Sequence, residues 1–230
     1  MVLSYHRVNP WYKSDALTVN IEEFKKQIEY LIFKKFKFLK ADEYISTGNE
    51  IRKKVLLTFD DGFADNYWFA YEFLEKLNIK PLIFLVVNYI NTDKIFLRYK
   101  SVEKDRFLNW KEIFDMAKNG VEFGSHTLTH PHLTLLSEEK IKEEIINSKK
   151  MIEDKLGKEV KFFCYPYGEF NKKIEEIVKK SGYKKAFVTP KRFRRTYYSN
   201  FTIKRVGIYG HNNFLIFKFK IWKEYLKENF

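Results

Sequence analysis

The chain has 230 residues, 45% apolar and 18% aromatic, and carries 43 Lys and Arg against 30 Asp and Glu, a formal charge of +13. It is long enough to bury a sizeable core and falls within the size range of one α/β barrel domain, and its single Cys excludes an intrachain disulfide. No stretch of about 20 apolar residues is present, which argues against a transmembrane helix. Residues 1–6 lack the basic segment and long apolar core of a signal peptide. Taken at face value this predicts a cytoplasmic protein, or an exported or membrane-peripheral one if the N-terminus has been trimmed. No Ser/Gly/Pro-rich linker, repeat or low-complexity tract divides the sequence, so one domain over 1–230 is expected, ending in a basic segment of about 191–230.

In chain order, residues 2–5 read as a first strand. Asn20-x-x-Glu23 is an N-cap signal that opens an amphipathic helix to about residue 37. Residues 54–59 form a second strand and 64–77 a helix that ends before Pro81. Residues 81–87 are apolar throughout and read as a third strand. Asn109-x-x-Glu112 caps a helix that ends at Gly120, and 121–125 is a strand. Residues 137–156 form a long helix with Glu138 and Glu139 in its first turn and Gly157 past its end. Segments 161–165, 171–180, 186–189 and 202–208 continue the alternation of strand and helix. Such alternation argues for an α/β fold with a largely parallel sheet. Residues 91–108 read as an extended connection bordering a substrate groove.

The most informative segment is Thr58-Phe59-Asp60-Asp61-Gly62, which closes the apolar run Val55-Leu56-Leu57. Adjacent carboxylates at the end of a buried strand repel, and desolvation penalises each further. A metal ion on one Asp, with the other left to accept a proton, resolves that conflict. Asp-Asp-Gly is also ordinary turn chemistry. The balance shifts with Gly124-Ser125-His126-Thr127-Leu128-Thr129-His130-Pro131-His132, which places three of the five His within seven residues. The spacing of His126 and His130 puts two imidazoles on one face of a helical turn, and two imidazoles with a carboxylate are a common ligand set for catalytic zinc. For His132 alone, a surface histidine is an equal reading. A third segment, Phe162-Phe163-Cys164-Tyr165-Pro166-Tyr167-Gly168, reads as a buried strand running into a turn that can aim a backbone N–H at a developing oxyanion.

In this order the three segments resemble the motifs of the polysaccharide deacetylase family, also called the NodB-homology or carbohydrate esterase 4 family. Thr-Phe-Asp-Asp-Gly matches the first motif, His126-Thr127-Leu128-Thr129-His130 the second, and Tyr165-Pro166-Tyr167-Gly168 the end of the third. The resemblance extends to Ser4-Tyr5-His6-Arg7-Val8 and covers roughly residues 1–210. Cys164 stands where the third motif usually begins with Arg, a departure similar to the poly-N-acetylglucosamine deacetylase branch. The resemblance implies an irregular (β/α)7 barrel and hydrolysis of N-acetyl groups from an amino-sugar glycan.

The same resemblance implies that Asp60 is the general base and that Asp61, His126 and His130 bind one divalent ion, with zinc expected. It also makes the Tyr167 N–H, in the turn held by Pro166, an oxyanion donor. The general acid is expected to be His6, at the end of the first strand, because the late candidate His211 lies in a Gly/Asn-rich loop without the family's Leu-x-His pattern. A catalytically silent glycan-binding member, or a deacetylase of a lipid-linked sugar at the membrane surface, is the alternative.

Residues 191–230 hold ten Lys or Arg against two Glu, +8 of the +13. A solvated basic surface explains this. So does attraction to an anionic membrane surface or a phosphorylated glycan. Phe214-Leu215-Ile216-Phe217-Lys218-Phe219-Lys220, with Ile221, Trp222, Tyr225 and Leu226, reads as an interfacial element or a last helix packed on the barrel. No nucleic-acid-binding motif is present, and nucleic acid is not expected as a partner.

Overall fold

The computed structural model describes residues 1–11, 16–47, 52–96, 105–188 and 199–229, the last two without their side-chain environment past Lys227. The strands are β1 (Val2–Tyr5), β2 (Arg7–Val8), β3 (Thr18–Val19), β4 (Lys37–Phe38), β5 (Lys54–Phe59), β6 (Leu82–Leu85), β7 (Glu122–Ser125), β8 (Phe162–Cys164), β9 (Lys185–Val188), β10 (Ile203–Lys204) and β11 (Val206–Gly207). The α-helices are α1 (Ile21–Phe33), α2 (Ala41–Ser46), α3 (Glu72–Lys76), α4 (Trp110–Lys118), α5 (Glu138–Lys142), α6 (Ser148–Leu156), α7 (Lys172–Lys180) and α8 (Phe214–Asn229).

The main sheet runs in the order β10-β9-β8-β7-β6-β5-β1-β11, every pair parallel, with β4 added beside β5. β10 and β11 lie at opposite ends of this order, yet only Arg205 separates them in the chain. The run 203–207 therefore pairs with β9 through its first half and with β1 through its second. It is the stave that brings the two edges together, so the sheet is nearly closed into an irregular barrel of seven staves.

Sequence alternation sorts side chains to the two sides of this sheet. Leu56 joins Val2, Leu82, Phe84, Phe162, Cys164 and Phe187 in the smaller apolar cluster, while Val55, Leu57 and Phe59 of the same strand join the larger one against the helices. Period-2 sorting with both faces apolar is what a helix-covered parallel sheet requires. Gly124 is required by this interior, because a Cβ there would lie 2.6 Å from the Phe84 ring and 2.8 Å from the Phe162 carbonyl.

The helices begin where their caps predict. Asn20 accepts from the Glu22 N–H, and Asn109 and Glu112 form a reciprocal capping box. Helix α1 stops at Phe33 instead of continuing to residue 37, because Lys35 takes a left-handed φ of 60° and β4 pairs with β5. The expected helix over 64–77 starts at Asn66, its first part widened into π-type turns before α3, and the helix over 137–156 has a similar π segment, Glu143–Asn147, between α5 and α6. The third strand is shorter than expected, since Val87–Tyr89 is a 3-10 turn. The short β2, β3, β4 and α2 have no counterpart in the sequence reading. Residues 97–104 of the expected groove segment, 189 of one expected strand and 191–198 of the basic segment lie outside the described residues.

Candidate active site

β1 and β5 run side by side with Tyr5 opposite Phe59, so the next residues of each strand, His6 and Asp60, emerge together at the same barrel end. The Asp60 N–H donates to the Tyr5 carbonyl at 3.0 Å, and His6 Nε2 lies 3.7 Å from Asp60 Oδ2. β7 delivers His126 beside them, its N–H bonded to the Leu85 carbonyl at 2.8 Å. Catalytic groups at the C-terminal ends of parallel strands are the general arrangement of barrel enzymes.

Asp61, His126 and His130 converge. His126 Nε2 and His130 Nε2 lie 3.6 and 3.5 Å from the same oxygen, Asp61 Oδ1. All three side chains are buried. The segment that brings the two imidazoles together is a loop and not the helical turn read from their spacing: Thr127 and His130 both take left-handed φ, 70° and 61°. Its shape is held by the Glu144 carboxylate, which accepts from the Leu128 and Thr129 N–H groups at 2.8 and 2.9 Å.

These residues fit a divalent ion. Zinc holds N and O donors at ~2.0–2.2 Å in a tetrahedron, which separates neighbouring donors by roughly 3.3–3.5 Å, close to the spacing here. His126 Nδ1–H donates to the Cys164 carbonyl at 2.7 Å, which leaves its Nε2 lone pair facing Asp61. A backbone partner fixing the ring this way is a regular feature of metal-ligating histidines. Burial, reinforced by the neighbouring His130, lowers the His126 pKa to about 4, so the ring is neutral at ordinary pH. A second donor group, Asp60, His126 and Cys164, shares His126. It is the poorer candidate, because burial pushes the Cys164 thiol well above its ordinary pKa and both Asp60 oxygens are already engaged.

Their partner is Arg205, which the sequence reading passed over. Its Nη1 donates to Asp60 Oδ1 at 2.6 Å and its Nη2 to Oδ2 at 2.7 Å. Nη1 also reaches Thr58 Oγ1 at 3.1 Å, and Nη2 lies 3.1 Å from Cys164 Sγ. Arg205 and Asp60 are both fully buried. Burial by itself raises the Asp60 pKa, but the Arg205 charge, assisted by His6 and His126, outweighs it and holds the carboxyl well below the usual range. The missing motif Arg is thus matched by one arriving from the closing stave. The small Cys164 leaves room for its guanidinium. An Arg between two short β segments was the available signal, but nothing local indicates which carboxylate it meets.

A separate buried network supports His6 from behind. Asn66 Nδ2 donates to the His6 carbonyl at 2.8 Å and to Asp65 Oδ1 at 3.1 Å. Arg7 Nε donates to Asp65 Oδ2 at 2.7 Å, and Arg7 also pairs with Asp105. Among the described residues His6 Nδ1 has no hydrogen-bond partner. His211 is exposed, stacks on Tyr209 and lines a cavity on the α8 side of the β10–β11 stave.

The turn after β8 completes the site's rim. Pro166 is buried and Tyr167 takes a left-handed φ of 58°, a strain of roughly 1–3 kcal/mol for a residue with a Cβ. The Tyr167 ring packs edge-on to His130 at 4.6 Å and stacks on His132 at 3.9 Å. His132 itself pairs with Glu169 at 2.8 Å, outside the Asp61 triad. Phe96 closes another side, 5.2 Å from His130, backed by Phe63, Phe107 and Tyr89.

A nearly closed parallel barrel bearing an Asp-His-His triad beside a paired carboxylate defines the NodB-type deacetylase class. The family model for polysaccharide deacetylase matches residues 47–186. YxkH of Bacillus subtilis (strain 168), a polysaccharide deacetylase by name, is 27% identical over 192 residues, 82% of this chain and 63% of that protein. The poly-beta-1,6-N-acetyl-D-glucosamine N-deacetylase of Staphylococcus aureus (strain MRSA252) is 26% identical over 81% of this chain and 71% of its own. The crystal structure of BC0361, a polysaccharide deacetylase from Bacillus cereus, superposes with a TM-score of 0.79 at 26% identity, covering 96% of this chain and 68% of that one. The chain belongs to the polysaccharide deacetylase family, and it spans less than two thirds of the length of YxkH.

Proposed function

We propose that this protein is a metal-dependent hydrolase that removes N-acetyl groups from an amino-sugar-containing glycan. The observation that carries the reading is the Asp61/His126/His130 triangle lying against an Asp60 that Arg205 holds ionised. Asp61, His126 and His130 would hold a divalent ion, with zinc expected, and that ion would supply the Lewis acidity that polarises an acetyl carbonyl and acidifies a bound water.

Asp60 is the general base in this scheme. Its low pKa makes it a weak base, so its contribution is position: the two-pronged Arg205 contact fixes the carboxylate plane. His6 is the general acid that protonates the leaving nitrogen. Its Nε2 lies 3.7 Å from Asp60 Oδ2, and Asn66 anchors its backbone. The Tyr167 N–H, presented by the Pro166 turn, donates to the developing oxyanion. One such donor is typically worth ~10²–10³ in rate.

Acetate release from N-acetylated chitooligosaccharides and from poly-β-1,6-N-acetylglucosamine, with and without chelator, tests the reading. Chelator-sensitive release supports it. Glycan binding without any acetate release from either substrate identifies a catalytically silent member.

A further inference from the structure

Helix α8 carries two apolar stripes. Phe217 and Ile221 are fully buried, and Phe214 and Tyr225 pack partly against the same core. These positions form the inward face, seated on α1 through contacts such as Tyr30 with Phe214 at 5.5 Å. The second stripe is Leu215, Phe219, Trp222 and Leu226, spaced i, i+4, i+7, i+11 along the other side. Trp222 marks its border, donating to the Tyr30 hydroxyl at 2.7 Å. The other three are open to solvent, Leu215 at 69%, Phe219 at 66% and Leu226 at 52% exposure. One stripe is what packing on a barrel requires. The second leaves Leu215, Phe219 and Leu226 exposed.

The surroundings of this second stripe are cationic. Lys223 and Lys227 follow one another along its flank at i and i+4; Lys220 beside them is held by the Gly207 carbonyl and Asn212 Oδ1 at 2.8 and 2.6 Å, and the three line a cavity of about 450 Å³ with Lys204 and His211. On the α1 side, Phe33 is 76% exposed, and Lys34 Nζ lies over both its ring and that of Tyr30, at 5.2 and 5.8 Å. Lys53 Nζ lies 5.6 Å from the Trp222 ring centre. Glu224, the acid of α8 whose side chain is described, is already shared by Lys204 and Lys227.

We propose that the outer face of α8 docks the protein on an anionic lipid bilayer. Leu215, Phe219 and Leu226 enter the headgroup boundary while the flanking lysines meet lipid phosphates, the mode of an in-plane amphipathic helix. Charge decides between occupants. A second copy of this chain, packed through a two-fold axis, would set lysine rows against lysine rows. A nucleic acid would satisfy the lysines and leave the exposed aliphatic side chains in water.

The test is co-sedimentation of the full chain with phosphatidylcholine vesicles, with and without phosphatidylglycerol, at low and high salt. Two surface variants are compared, Leu215→Ser/Phe219→Ser and Lys223→Glu/Lys227→Glu, with thermal unfolding to show that both remain folded. The proposal expects binding to the phosphatidylglycerol vesicles that salt weakens, and about a tenfold or greater loss of partitioning in each variant. Acetate release from a short soluble substrate stays unchanged in both. No binding to the anionic vesicles overturns the proposal. So does binding that the lysine variant loses and the apolar variant keeps, which is adsorption by charge alone. A concentration-dependent dimer that Leu215→Ser/Phe219→Ser abolishes also overturns it and assigns the face to a second copy.

Discussion

Arg205 and Asp60, 145 positions apart in the chain, meet inside the barrel in a two-pronged pair at 2.6 and 2.7 Å. The pair joins the stave that nearly closes the sheet to the strand that carries the family's first motif. Removing Arg205 therefore damages both the fold and the site. Arg205→Met leaves a buried carboxylate uncompensated and is expected to cost about 3–5 kcal/mol of stability, read by urea unfolding. Arg205→Lys keeps the charge but not the planar fork, so it recovers part of the stability while turnover stays low. A stable Arg205→Met enzyme with unchanged kcat contradicts this account. Because the Asp60 pKa is depressed on folding, the pair's contribution is complete above the ordinary carboxylate pKa and is lost only as pH falls below it.

Elemental analysis tests the ligand assignment. The purified protein should carry one divalent ion, and Asp61→Ala/His126→Ala should lose it. Stoichiometric metal surviving in the double variant rules the triad out.

Acid should release that ion and weaken the fold through the same histidine. The His126 pKa falls from its ordinary 6.5 to about 4 on folding, chiefly through burial. Between those values the unfolded chain binds the proton and the native state does not, so stability is lost as pH drops through that window. For His126, proton competition with the metal thus begins below the 6.5 of a free imidazole. Metal content measured across pH 7 to 4 checks this, and a midpoint at or above 6.5 argues against the buried, neutral His126.

Asp60→Asn keeps size but not basicity, and its amide nitrogen cannot accept from Arg205 as the second carboxylate oxygen does, so turnover is compared in the folded variant. It is expected to retain the metal and lose ~10²–10⁴ in kcat, the usual worth of general-base catalysis. Near wild-type turnover shows that another group takes the proton.

His6→Ala should lose far more turnover than His211→Ala, and with it the alkaline limb of the pH–rate profile. That limb reports deprotonation of the general acid. His6 lies 3.7 Å from Asp60, whereas His211 is exposed and lines the cavity between the β10–β11 stave and α8. Equal losses in the two variants, or an alkaline limb that persists in His6→Ala, reject His6 as the acid.

The sequence by itself determined the elements whose signals are local. Caps at Asn20 and Asn109 announce their helices, apolar runs announce β1 and β5, and Asp60-Asp61-Gly62 and His126/His130 announce the cluster of donor groups. Each signal lies within a few residues of what it specifies, so backbone preference and side-chain periodicity suffice to read it.

Only the tertiary structure decided the rest. The loop at 126–130 replaces a helical turn because Glu144, one helix away, holds its N–H groups and two residues adopt left-handed φ. The outer stripe of α8 is identifiable only once the barrel has covered the inner one. Arg205 finds Asp60 only when β9 and β1 draw the stave 203–207 between them. A guanidinium can pair with any carboxylate, and nothing within a few residues of Arg205 says which one the closing sheet will bring within 3 Å.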